Sequence, residues 1–326
     1  MTMAEGTGRT LSTNEKKKFD FGSWIIIYIS AALFIFLSLT RSNFFNFNNI
    51  HSILYGVSFN FFAAIGFTLL IIMGELDMSV GSLFGFGGAM MGYFVFTYRL
   101  PVGAAMVLAM LLALAIGLCA GFLVVQFRLN SMMVTIGVMM AVKGFNWMMV
   151  NKFGGRQLPS EARNFVSVDF LSIRWSIWLM LVIAIIMEIL LNKSWHFKQL
   201  YYIGHNMDTT ILYGLKAGRV KILCFGLSAA VSAFGGCLMT ARLARPDVTV
   251  GANLEISIIT AAVIGGASIF GGRGSIVRSM LGVFFIFLLQ NGMTAYNIDS
   301  YIQQIVVGTI LVAAIYLDLR FNRKKG

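Results

Sequence analysis

Gly74-Glu75-Leu76-Asp77-Met78-Ser79-Val80-Gly81 separates two long apolar runs. Ser52 to Met73 before it carries no formal charge over 22 residues, and Ser82 to Tyr98 after it is apolar and studded with glycine. Runs of this kind are those of membrane-crossing helices. Carboxylates between them are costly if they face lipid, so Glu75 and Asp77 are expected to face the protein interior, water or a partner. Gly74 and Gly81 let the backbone turn where a side chain would clash. The plainer reading of the same residues is a solvated turn between two helices.

The turn also sets a requirement on its own backbone. Where the chain leaves the helix its N–H groups need acceptors, and lipid offers none. Asp77 stands two residues before Ser79, where its carboxylate can accept from the start of the next helix and meet the positive end of the dipole. Glu75 has no such duty in this reading, so its replacement is expected to be tolerated.

Composition agrees with a membrane setting. Hydrophobic residues make up 58% of the 326 and charged residues 12%, with a mean hydropathy of +0.81. A soluble domain carries about twice that share of charge. The runs are too long and continuous for the alternating pattern of a membrane barrel, so an all-α membrane protein is expected. The net charge of +12 does not point to nucleic acid, because the basic residues sit between apolar runs, as the positive-inside rule describes. Cys119, Cys224 and Cys237 all lie in apolar stretches, which argues against a disulfide framework or a zinc site. The first 22 residues are polar, and the run Ser23 to Leu39 has no small-residue cleavage site after it. No cleavable signal is expected, and 1–22 is read as a short cytoplasmic tail.

Ten apolar segments follow, at about 23–40, 52–73, 82–98, 102–125, 132–150, 175–191, 222–241, 256–270, 276–290 and 301–317. Several are shorter than the roughly 20 residues a straight span needs, so broken or tilted helices are expected among them. Ten crossings put both ends on one side. Of the 25 Lys and Arg residues, eight fall in the loops that would then face outward, half of those in 151–174, and Lys143 falls inside the fifth segment. The remaining 16 are inner, which places both termini in the cytoplasm. Lys143 either snorkels or lines a cavity. The chain reads as one transmembrane domain over 23–318, between the tail 1–22 and a basic cytoplasmic tail 319–326.

The two halves share a motif. Asp77-Met78-Ser79-Val80-Gly81 follows the second segment and Asp247-Val248-Thr249-Val250-Gly251 follows the seventh. On the ten-span topology they lie at opposite sides. Segments 2–5 and 7–10 then form an inverted repeat, with the pathway at the repeat interface. Pairs such as Gly81-x3-Gly85, Gly88-x3-Gly92 and Gly117-x3-Gly121 are ordinary close-packing devices of membrane helices. The 20 Met and 29 Phe residues are bulk apolar filling.

The longest inner loop, 192–221, holds Asp208-Thr209-Thr210, which can open a short helix capped by Asp or Thr and stopped by Gly214 or Gly218. Such a helix suits a soluble partner, or it lies on anionic lipid. No Gly-x4-Gly-Lys-Ser/Thr phosphate loop occurs; the stretch from Gly266 to Gly274 has similar spacing but lacks the lysine and is read as a packed turn. His51, His196 and His205 have no metal spacing, and no Ser-His-Asp set suggests itself. Neither a metal nor a cofactor is expected.

With these motifs in place, the chain resembles the permease subunits of bacterial ABC importers of the ribose, xylose and arabinose class, from about residue 50 to 318. Gly74-Glu75-Leu76-Asp77-Met78-Ser79-Val80-Gly81 is similar to that family's Gly-Gly-Ile-Asp-Leu-Ser-Val-Gly. Thr135-Ile136-Gly137 with Lys143-Gly144 resembles its Thr-Leu-Gly and Arg-Gly stretch. Gly204-His205-Asn206, followed by Gly214, resembles its Gly-x-Asn-Glu-Ala-Ala…Gly coupling segment. Glu255, the run Ala261 to Ser268, Gly271-Gly272-Arg273-Gly274 and Asn291-Gly292 resemble its C-terminal blocks. Met207 stands where the family usually has Glu, and Glu75 where it usually has Gly.

The resemblance implies a multi-pass inner-membrane subunit that is not itself an enzyme. Two copies, or this chain and a related permease, form the pathway. A cytoplasmic ATPase docks on Gly204, Asn206, Met207, Asp208, Thr209 and Gly214, and an extracytoplasmic binding protein delivers a sugar-like solute. Asn60, Ser79, Thr135, Asn146 and Asn291 are the hydroxyl and amide groups assigned to the pathway, although a helix–helix hydrogen bond is the plainer role for each. Gly74, Glu75, Asp77, Ser79, Gly81, Asp247 and Gly251 form the structural signature. The competing readings are an ion-coupled secondary carrier using Glu75 and Asp77 as proton carriers, and an intramembrane enzyme or scaffold.

Overall fold

The computed structural model describes residues 25–41, 44–153 and 155–323. The tail 1–22 and the end of the tail 319–326 lie outside them. The described residues form thirteen helices: α1 (Ile25–Thr40), α2 (Phe47–Ile72), α3 (Val80–Tyr98), α4 (Val102–Gln126), α5 (Ser131–Lys152), α6 (Ser160–Ser167), α7 (Trp175–Lys193), α8 (Trp195–His205), α9 (Met207–Leu212), α10 (Ala217–Leu243), α11 (Leu254–Ile264), α12 (Ile276–Ala295) and α13 (Ser300–Arg323). A two-residue antiparallel ribbon, Asp169–Phe170 with Ile173–Arg174, sits between α6 and α7.

Each of the ten apolar segments contains a helix or most of one. Eight are long and apolar enough to cross a membrane: α2, α3, α4, α5, α7, α10, α12 and α13. The apolar helices α1 and α11 are shorter, at 16 and 11 residues. At 1.5 Å per residue α11 reaches only about half of a ~30 Å hydrocarbon core. The segment read as 256–270 therefore breaks at Gly265. Beyond it the chain needs left-handed backbone at Gly266, Gly271 and Gly272, with φ of 88°, 82° and 75°, so 265–275 is a glycine-built turn.

Starts are set by local acceptors. Asn46 accepts from the Asn48 N–H, Asn130 from those of Met132 and Met133, and Ser275 from that of Arg278. These bonds satisfy donors that a helix leaves orphaned at its first turn.

Apolar on every side, α2 is wholly buried in its spanning window, whereas only 6% of the α13 window is buried. A helix apolar all round belongs in the centre of a bundle or against lipid. The centre is the α2–α10 pair, with α10 also packed on α3 and α4. Small residues make this closeness possible. A methyl at Gly87 would overlap the Ala233 carbonyl, one at Gly236 the Phe84 carbonyl, and one at Gly66 the Ser228 backbone. Exchanging α2 with α10, α3 with α11, α4 with α12 and α5 with α13 maps most contacts onto contacts, the α2–α3 pair excepted. α2 lies on α12 as α10 lies on α4, and α3 lies on α4 and α5 as α11 lies on α12 and α13.

The loops gather at two ends. At one end Gly272 N–H donates to Ile72 O at 2.8 Å and Tyr201 OH to Gly274 O at 2.9 Å, joining 72–79, α8 and 265–275. At the other, Leu158 N–H donates to Ala244 O at 2.8 Å, Tyr55 OH to Val166 O at 2.8 Å and Asn291 Nδ2 to Asn49 Oδ1 at 3.2 Å.

Candidate translocation site and coupling end

The loop after α2 is built from its own backbone outward. Gly74 is left-handed, with φ of 77°. Its N–H donates to Ile71 O and that of Glu75 to Leu70 O, both at 3.0 Å. This paired closure of a helix C-terminus is the one glycine favours. The next donors find side chains of α5: Leu76 N–H donates to Ser131 Oγ at 3.2 Å and Met78 N–H to Thr135 Oγ1 at 3.0 Å. Asp77, 1% exposed, accepts from Ser79 N–H at 2.8 Å, from Ser79 Oγ at 2.5 Å, and from Ser228 Oγ of α10 at 3.4 Å. One carboxylate thus closes the turn and fastens it to α10.

Asp77→Ala is therefore expected to cost on the order of 1–3 kcal/mol, because it strands buried donors, whereas Asp77→Asn keeps the accepting oxygen. Folded yield in membranes, measured for both variants, checks this; equal yields of the Ala variant and the parent protein would refute it.

The second motif makes the same turn. Asp247 Oδ1 accepts from Thr249 N–H at 2.9 Å and Thr249 Oγ1 at 2.7 Å. These two donors hold its carboxyl below the ordinary carboxylate range. The two motifs also meet. A Gly81 side chain would meet the Glu255 carboxylate first and then the Gly251 carbonyl, and a Gly251 side chain would meet the Gly81 carbonyl. Beside this contact a small cleft is bordered by Ser82, Lys143, Asn146, Val250 and Glu255, so Lys143 lines a cleft. Asn146 Nδ2 donates to Ser82 O at 2.8 Å, while its buried Oδ1 has no partner among the described residues.

The other residues assigned to the pathway lie apart. Asn60 donates to Gly56 O at 2.9 Å within α2. Ser79 is engaged with Asp77, and Thr135, fully buried, with the loop backbone. Asn291 sits at the opposite end, on Asn49.

Glu75 has a structural contact that the sequence reading did not give it. Its Oε1 is ion-paired with Lys221 Nζ of α10, and both side chains are largely buried. Lys221 also lies 3.4 Å from Met207 Sδ. The two residues that depart from the family pattern, Glu75 and Met207, thus flank one lysine. Glu188 of α7 was not singled out from the sequence. Its Oε2 accepts from Ser275 Oγ at 3.0 Å and from the N–H groups of Ile276 and Val277 at 2.8 and 3.2 Å, completing the cap of α12.

The loop 192–221 holds two helices where one was expected. α9 is capped by Asn206, whose Oδ1 accepts from Thr209 N–H at 3.0 Å, not by Asp208 or Thr. The reason is spacing: the helix opens at Met207, one residue earlier than the Asp-Thr-Thr run suggests. Gly214, with φ of 78°, ends it. The side chain of Asp208 lies outside the described ones. Gly204 is pressed against Ile72 O and Gly272 N, so α8 is locked to the loop end of the bundle. Burial and Glu188 push the Tyr201 hydroxyl up to about 12, which keeps it a neutral donor to Gly274. A cavity of about 370 Å³ opens along α8 and α9, lined by Trp195, Tyr202, His205, Asn206, Thr209 and Tyr213 among others. Among the described residues no three His, Cys, Asp or Glu are grouped to hold a metal.

Comparison with known proteins adds the following. Residues 49–315 match a protein family described as branched-chain amino acid transport system / permease component. The L-arabinose ABC transporter permease protein AraH of Azospirillum brasilense is 31% identical over 304 residues, covering 92% of this chain and 88% of that protein. The ribose import permease protein RbsC of Haemophilus influenzae is 28% identical over 323 residues, covering 96% and 99%. RbsC of Escherichia coli is 28% identical over 326 residues, covering 97% and 100%. No solved structure matches the chain significantly.

Proposed function

The chain belongs to the family of transport-system permease components that its residues 49–315 match, and on that premise we propose that it is the membrane subunit of an ATP-driven importer of a sugar or sugar-like solute. The relatives named for L-arabinose and ribose carry the solute class. The observation that carries the pathway is the contact between the two Asp-x-Ser/Thr-Val-Gly turns, reciprocal at Gly81 and Gly251. Two like motifs meeting inside a bundle of interchangeable contacts are what an inverted repeat of α2–α5 and α10–α13 produces.

In this reading the ten apolar helices form one domain over 23–318 of a multi-pass inner-membrane protein, with both tails cytoplasmic. A second permease copy or a related permease completes the pathway. An extracytoplasmic binding protein meets the end holding 153–174 and 244–253. An ATPase meets α8–α9 at Gly204, Asn206, Met207, Asp208, Thr209 and Gly214, and ATP hydrolysis resides on that partner. A proton-coupled carrier is disfavoured because Glu75 is neutralised by Lys221 and Asp77 is engaged by Ser79 and Ser228.

The test is uptake into proteoliposomes containing the chain, its ATPase and its binding protein. Accumulation of a sugar that needs ATP and persists without an ion gradient supports the reading; accumulation driven by a proton gradient alone overturns it.

Two further outcomes follow. Replacing Gly214 by valine forces a β-branched residue into left-handed backbone, and Asp208→Ala alters the same helix. Both are expected to leave the protein folded while solute-stimulated ATP hydrolysis falls several-fold; unchanged stimulation in both contradicts the docking assignment. A cysteine at Glu161 is expected to label from outside and one at Gln199 only after permeabilisation. Labelling of both from one side rules out the ten-span topology.

A further inference from the structure

At the end of the bundle remote from α8–α9, a second polar cavity of about 230 Å³ lies between α11, α12 and α13. Its walls include Asn253, Ser257, Gln290, Ser300, Gln303 and Gln304. None of these residues belongs to the motifs read from the sequence, and among the described residues no formally charged one lines the cavity. Ser300 and Gln304 are exposed and Asn253, Ser257, Gln290 and Gln303 half-buried, so the cavity opens at the surface.

Their hydrogen bonding is only partly spent. Asn253 Nδ2 donates to Gln304 Oε1 at 3.2 Å, and Gln303 Nε2 donates to Thr294 Oγ1 at 3.1 Å and Ile298 O at 3.0 Å. That leaves the Asn253 and Gln303 carbonyl oxygens as acceptors, the Gln304 amide as a donor, and the Gln290 amide and both serine hydroxyls as either. The nearby acid, Asp299, is turned away to cap α13, accepting from Tyr301 N–H at 2.8 Å. Glu255, two residues after Asn253, borders the other cleft.

From this lining we infer that the cavity is the entry subsite for the transported solute, and that it takes a small, uncharged polyhydroxyl molecule. The inference rests on the importer reading and narrows it. A sugar offers hydroxyls that both donate and accept, matching mixed amides and hydroxyls. A free amino acid, the substrate in the family's description, carries a carboxylate and an ammonium, and the described lining offers a counter-charge to neither. The size agrees, since drug-sized ligands occupy cavities of about 300–1,000 Å³ and this one suits something smaller. The place agrees too. The cavity ends at the N-terminus of the half-length helix α11, next to the Gly81–Gly251 contact through the shared wall residue Ala252.

The experiment has two arms. In the first, Gln304→Cys is made in a Cys119→Ser background, because Cys119 is the exposed cysteine and Cys224 and Cys237 are buried. Labelling by a membrane-impermeant maleimide is followed with D-ribose, L-arabinose, D-xylose, D-glucose or L-leucine at millimolar concentration. At least one sugar is expected to slow labelling fivefold or more, and L-leucine to have no effect. In the second arm, Ser257→Ala/Gln304→Leu is reconstituted with the ATPase and binding protein. Sugar uptake is expected to fall at least tenfold, with binding-protein-stimulated ATP hydrolysis within twofold of the parent.

If no sugar protects position 304, or the double variant transports as the parent does, the subsite is overturned while ATP-driven sugar uptake by the parent still upholds the importer reading. If L-leucine protects and is accumulated and no sugar is, both fall.

Discussion

Lys221→Met on its own is expected to destabilise the protein more than Glu75→Gln and Lys221→Met combined. The side chains of the pair are 11% and 12% exposed, so each charge has given up most of its water. Removing one partner leaves the other buried and uncompensated, which typically costs about 3–5 kcal/mol; replacing both by neutral groups of similar size is often neutral or stabilising. A pair at the water surface would show neither effect, since exposed pairs contribute about 0–1 kcal/mol. Glu75→Gly, the change toward the family pattern, belongs with the damaging single substitutions, because it strands Lys221 beside the Met207 thioether. Thermal unfolding of the detergent-solubilised single and double variants gives the comparison. A double variant as unstable as the sum of the singles would mean the two charges do not depend on each other.

Gly236→Ala is expected to prevent the native approach of α3 and α10, with Gly137→Ala and Gly144→Ala as tolerated counterparts. The added methyl at Gly236 would coincide with the Phe84 carbonyl, which is backbone and cannot rotate aside. The helices must separate along a contact that also includes Gly87 on Ala233 and Gly88 on Thr240. Without a hydrophobic drive between helices in lipid, close van der Waals packing is a main source of association. Overpacking typically costs about 1–3 kcal/mol, and more where backbone is displaced. Around Gly137 and Gly144 on α5 none of the described residues beyond the helix's own backbone and the chain neighbours lies within 4 Å of the added carbon. Monodisperse yield after solubilisation distinguishes the outcomes; equal yields for Gly236→Ala and Gly144→Ala would show that α10 can shift without loss.

Much of this molecule was legible in the order of its residues, and the reason is the solvent. A long uncharged run in lipid must satisfy its own backbone, and only a helix does so within one segment. Each of the ten apolar runs accordingly holds a helix, the eighth only as far as Ile264. Turns whose donor and acceptor lie two residues apart were equally local, and Asp77 with Ser79 and Asp247 with Thr249 are of that kind.

The tertiary structure decided everything that depends on which face meets which. Glu75 finds Lys221 across 146 residues, Glu188 caps a helix that starts 88 residues later, and Gly81 meets Gly251. The polar cavity exists only once α11, α12 and α13 stand together. Helices apolar on every side carry no stripe to show which face turns inward. Their neighbours are chosen by close packing of small residues, and that complementarity is a property of the assembled bundle rather than of any one segment.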